Sequence, residues 1–100
     1  MSQLVVPIES HGPRVLIVED ERVVATHVER SLRDAGYRVT GIAASAIEAQ
    51  SLVSSEPPDV ALVDIRLRGR SDGFEIAERL RNESDVPVVY MTAHTDDDTL

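Results

Sequence analysis

Apolar and polar positions alternate along this chain in blocks whose period changes repeatedly. Val15-Leu-Ile-Val18 is a short continuous apolar run that follows Arg14 and ends abruptly in acids, the pattern of a strand buried on both faces. From Glu21 to Ala35 the spacing becomes helical, with Val24, Val28, Leu32 and Ala35 recurring every three or four residues and Gly36 standing where a helix C-cap belongs. Tyr37 to Ala44 predicts a second strand. Ser45-Ala-Ile-Glu48 has the form of a capping box and opens a helix that Pro57-Pro58 must end. Val60-Ala-Leu-Val63, closed by Asp64, predicts a third strand. Asp72 is placed to cap a helix from Gly73 to about Asn82, with Phe74, Ile76, Ala77 and Leu80 on its apolar side. Val86 to Met91 predicts a fourth strand, with Pro87 near its start where a donor is dispensable. Thr95 to Leu100 reads as the first turn of a further helix, its positive end favoured by Asp96, Asp97 and Asp98.

Strands buried on both faces that alternate with amphipathic helices predict βαβ units, hence an α/β, doubly wound parallel sheet with helices on both faces. In such sheets ligands bind beyond the carboxyl ends of the strands. With 100 residues there is room for one core and not two. We divide the chain into a tail, residues 1–13, and a domain, residues 14–100.

Charge and composition narrow the chemistry. Ten basic against 18 acidic residues give a net charge of −8, which repels nucleic acid phosphates and favours a cation or a basic partner. Without cysteine, a disulfide scaffold, a zinc finger, an iron–sulfur site and a cysteine nucleophile are excluded together. Every basic side chain other than histidine is arginine. No apolar run approaches the ~20 residues of a membrane span, and Met1 to Pro13 lacks the charged start and apolar run of a secretory signal. The expectation is a cytoplasmic, soluble protein without membrane or nucleic-acid contacts. His11, His27 and His94 are scattered without metal-ligand spacing.

The informative feature lies at the strand ends. Glu19 and Asp20 follow strand one, Asp64 closes strand three, and Thr92-Ala93 closes strand four. Each acid alone reads as a helix-end charge or a strand terminator. Together on one sheet edge they repel by roughly 4 kcal/mol per pair at about 4 Å, so the cluster needs a proton or a cation. Oxygen ligands alone suit Mg²⁺, and the loop pattern of a calcium site is absent. A carboxylate beside a metal held by acids can attack a phosphoryl group, and Asp64 is placed to be that nucleophile.

Val15-Leu-Ile-Val-Glu-Asp-Glu21, Ala61-Leu-Val-Asp-Ile-Arg66, Asp72-Gly73 and Val88-Val-Tyr-Met-Thr-Ala93 resemble the receiver domain of two-component response regulators. The resemblance runs from Arg14 to Leu100. It implies a flavodoxin-like (βα)5 fold, here without its fifth strand and helix, and a phosphoacceptor signalling domain that is not an enzyme beyond its own phosphorylation and dephosphorylation. By the same resemblance a histidine kinase or phosphotransfer protein donates the phosphoryl group to Asp64. Glu19, Asp20, Asp64 and the backbone carbonyl of Arg66 hold Mg²⁺. Thr92 contacts a phosphoryl oxygen and acts as the switch, and small Ala93 leaves room for the group. The output partner is not specified.

Departures from the family pattern matter as well. The lysine that follows strand five in receivers, and the aromatic switch residue within that strand, have no counterpart here, which weakens phosphoryl transfer. A phosphorylation-independent interaction module, a pseudo-receiver, is therefore the alternative. Without a fifth strand, strand four is an open edge that predicts homo-oligomerisation. Arg66, Arg68 and Arg70 give the loop after Asp64 a charge-balancing surface. An aspartyl phosphatase would want a second acid where Arg66 stands. A nucleotide-binding module would want a glycine-rich turn where Glu19-Asp20-Glu21 stand.

Overall fold

The computed structural model describes residues 12–67 and 72–92. The elements are β1 (Arg14–Val18), α1 (Arg22–Asp34), β2 (Arg38–Ala43), α2 (Ala46–Ser55), β3 (Val60–Asp64), α3 (Asp72–Ser84) and β4 (Val88–Met91). The strands form one parallel sheet in the order β2-β1-β3-β4. Because the chain moves from β1 to one neighbour and then crosses back to the other, β1 and β3 flank the point where doubly wound sheets open a crevice.

Local chemistry explains the boundaries. Ala35 caps α1, and Gly36 follows at φ 96°, a left-handed turn that glycine adopts at little cost. At the start of α2 the capping box forms as the sequence predicts: the Glu48 N–H donates to Ser45 Oγ at 3.2 Å, and the Ala44 N–H donates to Glu48 Oε1 at 2.7 Å. The predicted fourth strand is shortened at its start. The Val86 N–H donates to the Leu80 carbonyl at 3.2 Å, so Val86 closes the turn after α3, buried but outside the ladder. Asp72 belongs to α3 itself, which runs on to Ser84 and not to Asn82.

Alternation along the strands sends side chains to two layers. Leu16, Val18, Ala61 and Val63 join Ala49 and Val53 of α2, and Ile76 and Leu80 of α3, in the main core. α1 packs across β1 and β2, where Val15 and Ile17 are buried. Phe74, expected on the apolar side of α3, is 46% exposed and meets Tyr90 edge to face at 5.1 Å. β4 pairs with β3 alone among the described residues, and Val89 is 52% exposed on it. The tail of residues 1–11, Arg68, Arg70, Ala93, His94 and the helical turn expected from Thr95 to Leu100 lie outside the described residues.

Candidate functional site

β1 and β3 pair in register, Val18 beside Val63, so Glu19 and Asp64 emerge next to each other at the carboxyl ends of adjacent strands. Glu19, Asp20 and Asp64 each offer a carboxylate oxygen, and these oxygens all lie within 4.8 Å of one another. Glu19 is only 2% exposed and Asp64 6%, which is unusual for carboxylates in a chain of this size.

Glu19 is pinned at both its backbone and its side chain. Its N–H donates to the Ala43 carbonyl at 2.8 Å, and its Oε2 accepts from the Glu21 N–H at 2.8 Å. That second bond takes up a backbone donor where α1 begins, where Glu21 itself makes no side-chain cap. Oε1 is buried without a hydrogen-bond partner among the described residues. Burial, with the Asp64 and Asp20 carboxylates adding to it, raises the Glu19 pKa from 4.5 to about 7 against the lowering pull of the Glu21 N–H. A buried, unpartnered carboxylate oxygen facing two further acids fits a hard divalent cation, which would satisfy the oxygen and cancel the repulsion.

Asp64 Oδ1 accepts from the Arg66 N–H at 3.1 Å, which fixes the carboxylate against the turn that follows β3. The Arg66 side chain is exposed. Asp64 pairs with Met91 on β4, and the Ile65 N–H donates to the Met91 carbonyl at 3.0 Å, so Thr92 stands one residue beyond the partner of Asp64. The sheet thus gathers Glu19, Asp20, Asp64, Arg66 and Thr92 at one edge, as their positions in the sequence predict. Ala93 falls outside the described residues.

Two contributors carry no chemical signature of their own. Gly73, at the start of α3, donates its N–H to the Ile65 carbonyl at 3.3 Å, and a Cβ there would run into the Asp64 carbonyl oxygen and stand 2.9 Å from Ile65 Cα. The helix can approach the acceptor strand this closely only with glycine. Glu48 holds the Ala44 N–H, next to the Ala43 carbonyl that holds Glu19; the capping-box pattern was the one signal that could have pointed to it.

Comparison with known proteins agrees with this geometry. Residues 15–100 match the family model of the response regulator receiver domain. The transcriptional regulatory protein AfsQ1 of Streptomyces coelicolor is 36% identical over 85 residues, 85% of this chain and 37% of that protein. The transcriptional regulatory protein YvrH of Bacillus subtilis is 37% identical over 83 residues, 83% of this chain and 35% of that protein. The chain therefore spans about a third of the length of these relatives. The signal receiver domain of a modulated diguanylate cyclase from Desulfovibrio desulfuricans superposes with a TM-score of 0.73 at 40% identity, covering 85% of this chain and 68% of that one. The anti-anti-sigma factor PhyR from Bartonella quintana, solved in complex with the anti-sigma factor NepR, superposes with a TM-score of 0.77 at 28% identity, covering 88% and 37%. With its parallel α/β sheet and three acids at the strand ends, the chain belongs to the response regulator receiver domain family of two-component signalling.

Proposed function

We propose that this chain, as a domain beginning at Arg14, is a phosphoacceptor switch that takes a phosphoryl group on Asp64 from a histidine kinase or phosphotransfer protein. One observation carries the reading: Glu19, Asp20 and Asp64 converge within 4.8 Å, with an orphaned, buried oxygen on Glu19. Glu19, Asp20, Asp64 and the backbone carbonyl of Arg66 would hold Mg²⁺, which supplies positive charge against the oxygens of the transferred group. An Asp64 carboxylate oxygen forms the new bond to phosphorus while the bond to the donor breaks and its electron pair leaves with the donor. The Arg66 N–H orients the carboxylate. Thr92, at the end of β4, donates its hydroxyl to a phosphoryl oxygen and transmits the change along that strand, and Ala93 leaves space for the group. The domain works in the cytoplasm and catalyses only its own phosphorylation and dephosphorylation; its output passes through a protein partner.

A second reading, an interaction module that works without phosphorylation, is favoured by the similar PhyR structure solved with an anti-sigma factor bound. Intact mass after incubation with Mg²⁺ and acetyl phosphate separates the two. The switch predicts the gain of one phosphoryl group that Asp64→Asn lacks; no gain supports the interaction module.

A further inference from the structure

β2 is an edge strand, pairing with β1 alone among the described residues. Its first half is guarded as free edges usually are. Arg38 pairs with Glu56 at 2.9 Å, and the register slips at Thr40, whose hydroxyl donates to the Val15 carbonyl at 3.4 Å. Gly41-Ile-Ala43 beyond it carries no charge, proline or irregularity. The Glu19 N–H donates to the Ala43 carbonyl, so Ala43 turns towards β1 and, by the alternation of a parallel ladder, Ile42 turns its N–H and carbonyl outward. A hollow of about 400 Å³ adjoins this stretch, lined by Ile42, Ile47, Glu48, Ser51 and Leu52. Ile47 is 80% exposed on its rim, in the first turn of α2, where its side chain finds no core to enter. The tail joins the domain beside this same edge. The Arg38 N–H donates to the Pro13 carbonyl at 2.9 Å, and Gly12 packs so closely on Gly36 that a Cβ would run into the Gly36 carbonyl oxygen. The residues before it include the apolar run Leu4-Val-Val-Pro-Ile8.

We propose that Leu4–Ile8 adds to the sheet as an outer strand antiparallel to β2 and fills the hollow with its own side chains. The reach suffices: four residues from Glu9 to Pro13 span up to ~13 Å, and two strand spacings are about 9.6 Å. One register meets every local demand. With Val5 opposite Ile42, the two exchange both backbone hydrogen bonds. Leu4 and Val6 then stand opposite Ala43 and Gly41 on the α2 side of the sheet, where Leu52 and Ile47 border the hollow. Pro7, which has no donor, falls opposite Thr40, where the register slips, and Glu9 falls opposite Arg38. The short tether makes the pairing intramolecular, which favours this tail over that of a second copy, and copies of net charge −8 repel one another. The added strand closes the β2 edge to other chains and covers Ile42 and Ile47.

The chain lacks cysteine, so a pair of introduced thiols reports on the tail without interference. Val5→Cys combined with Ile42→Cys, oxidised with diamide in the whole chain, gives a monomer that has lost two hydrogens, read by intact mass and non-reducing electrophoresis. Val5→Cys combined with Val89→Cys, at the far edge of the sheet, keeps both thiols free to alkylation. A disulfide-linked dimer from the first pair places the tail on a second copy. Free thiols in the first pair leave the edge uncovered, and closure of the second pair places the tail at β4. Each of these three results overturns the proposal. Amide exchange of the chain without cysteines gives an independent reading. The Ile42 amide exchanges about tenfold more slowly in the unmodified chain than in Val5→Pro, which removes the tail's donor at that pair, while the amides of β1 are unchanged. Equal exchange at Ile42 in the two chains overturns the pairing.

Discussion

Replacing the proposed acceptor makes the metal-free chain more stable, because the site stores repulsion. In Asp64→Asn one of three carboxylates within 4.8 Å is neutralised, while the hydrogen bond from the Arg66 N–H is retained by the amide oxygen. Two unit charges at that separation and an effective dielectric near 20 repel by about 3 kcal/mol, which sets the scale of the repulsion for each pair. The Glu19 pKa gives a bound. Its rise from 4.5 to about 7 corresponds to about 3 kcal/mol in all, and burial is its largest cause, so Asp64 accounts for the smaller part. The expected gain at pH 8 in a chelator is therefore about 1 kcal/mol, a rise in melting temperature of roughly 4–8 °C for a domain of this size. Thermal melts followed by circular dichroism, with chelator and then with Mg²⁺, measure it. Mg²⁺ should stabilise the unmodified chain more than Asp64→Asn, since the cation binds the folded site through the lost carboxylate. A variant less stable than the unmodified chain in chelator, or one that gains as much from Mg²⁺, would refute the reasoning.

The same site sets the pH response. The folded-state pKa of Glu19 lies above its unfolded value, so the contribution of Glu19 to stability is fully present below pH 4.5 and is lost as pH rises to about 7. Denaturant midpoints in chelator should fall across that window, and Glu19→Gln should flatten the fall; an unchanged slope would show that Glu19 is not the titrating group. Gly73→Ala places a methyl against the Asp64 carbonyl, and should cost about 2 kcal/mol and weaken Mg²⁺ binding by displacing Asp64, checked by urea unfolding and calorimetry. Leu16→Ala empties a fully buried position and should cost about 3 kcal/mol without selectively affecting Mg²⁺ affinity at temperatures where it stays folded. Concentration-dependent association through the β4 edge should appear in sedimentation velocity and be reduced by Val89→Glu, whereas a monomer at all concentrations would contradict an adhesive edge.

Much of this was legible in the sequence, because buried parallel strands announce themselves as unbroken apolar runs and the acids that end them need no distant partner to be noticed. Val15 to Val18 and Val60 to Val63 located β1 and β3, and parallel pairing then forced Glu19 and Asp64 together. The depth of Glu19 was not legible. It arises because Ala43, from a strand more than twenty residues away, holds its backbone, and because its side chain turns back onto the Glu21 N–H. Gly73 was noticed only as part of the Asp72-Gly73 motif, and its role was not legible, since a close approach between α3 and the end of β3 is a property of packing and not of composition. Val86 read as strand because it is apolar, yet it bonds to the end of α3. Phe74 read as core because of its spacing, but it lies on the outer margin of α3 with Tyr90 as its neighbour.

The central claim is that Asp64 is the residue that takes the phosphoryl group, and chemical mapping tests it most directly. The chain is treated with Mg²⁺ and acetyl phosphate, reduced with borohydride, which converts an aspartyl phosphate to homoserine, and digested for peptide mass analysis. The account predicts homoserine at position 64 and nowhere else; homoserine at Asp20 or another acid, or at none, would contradict it.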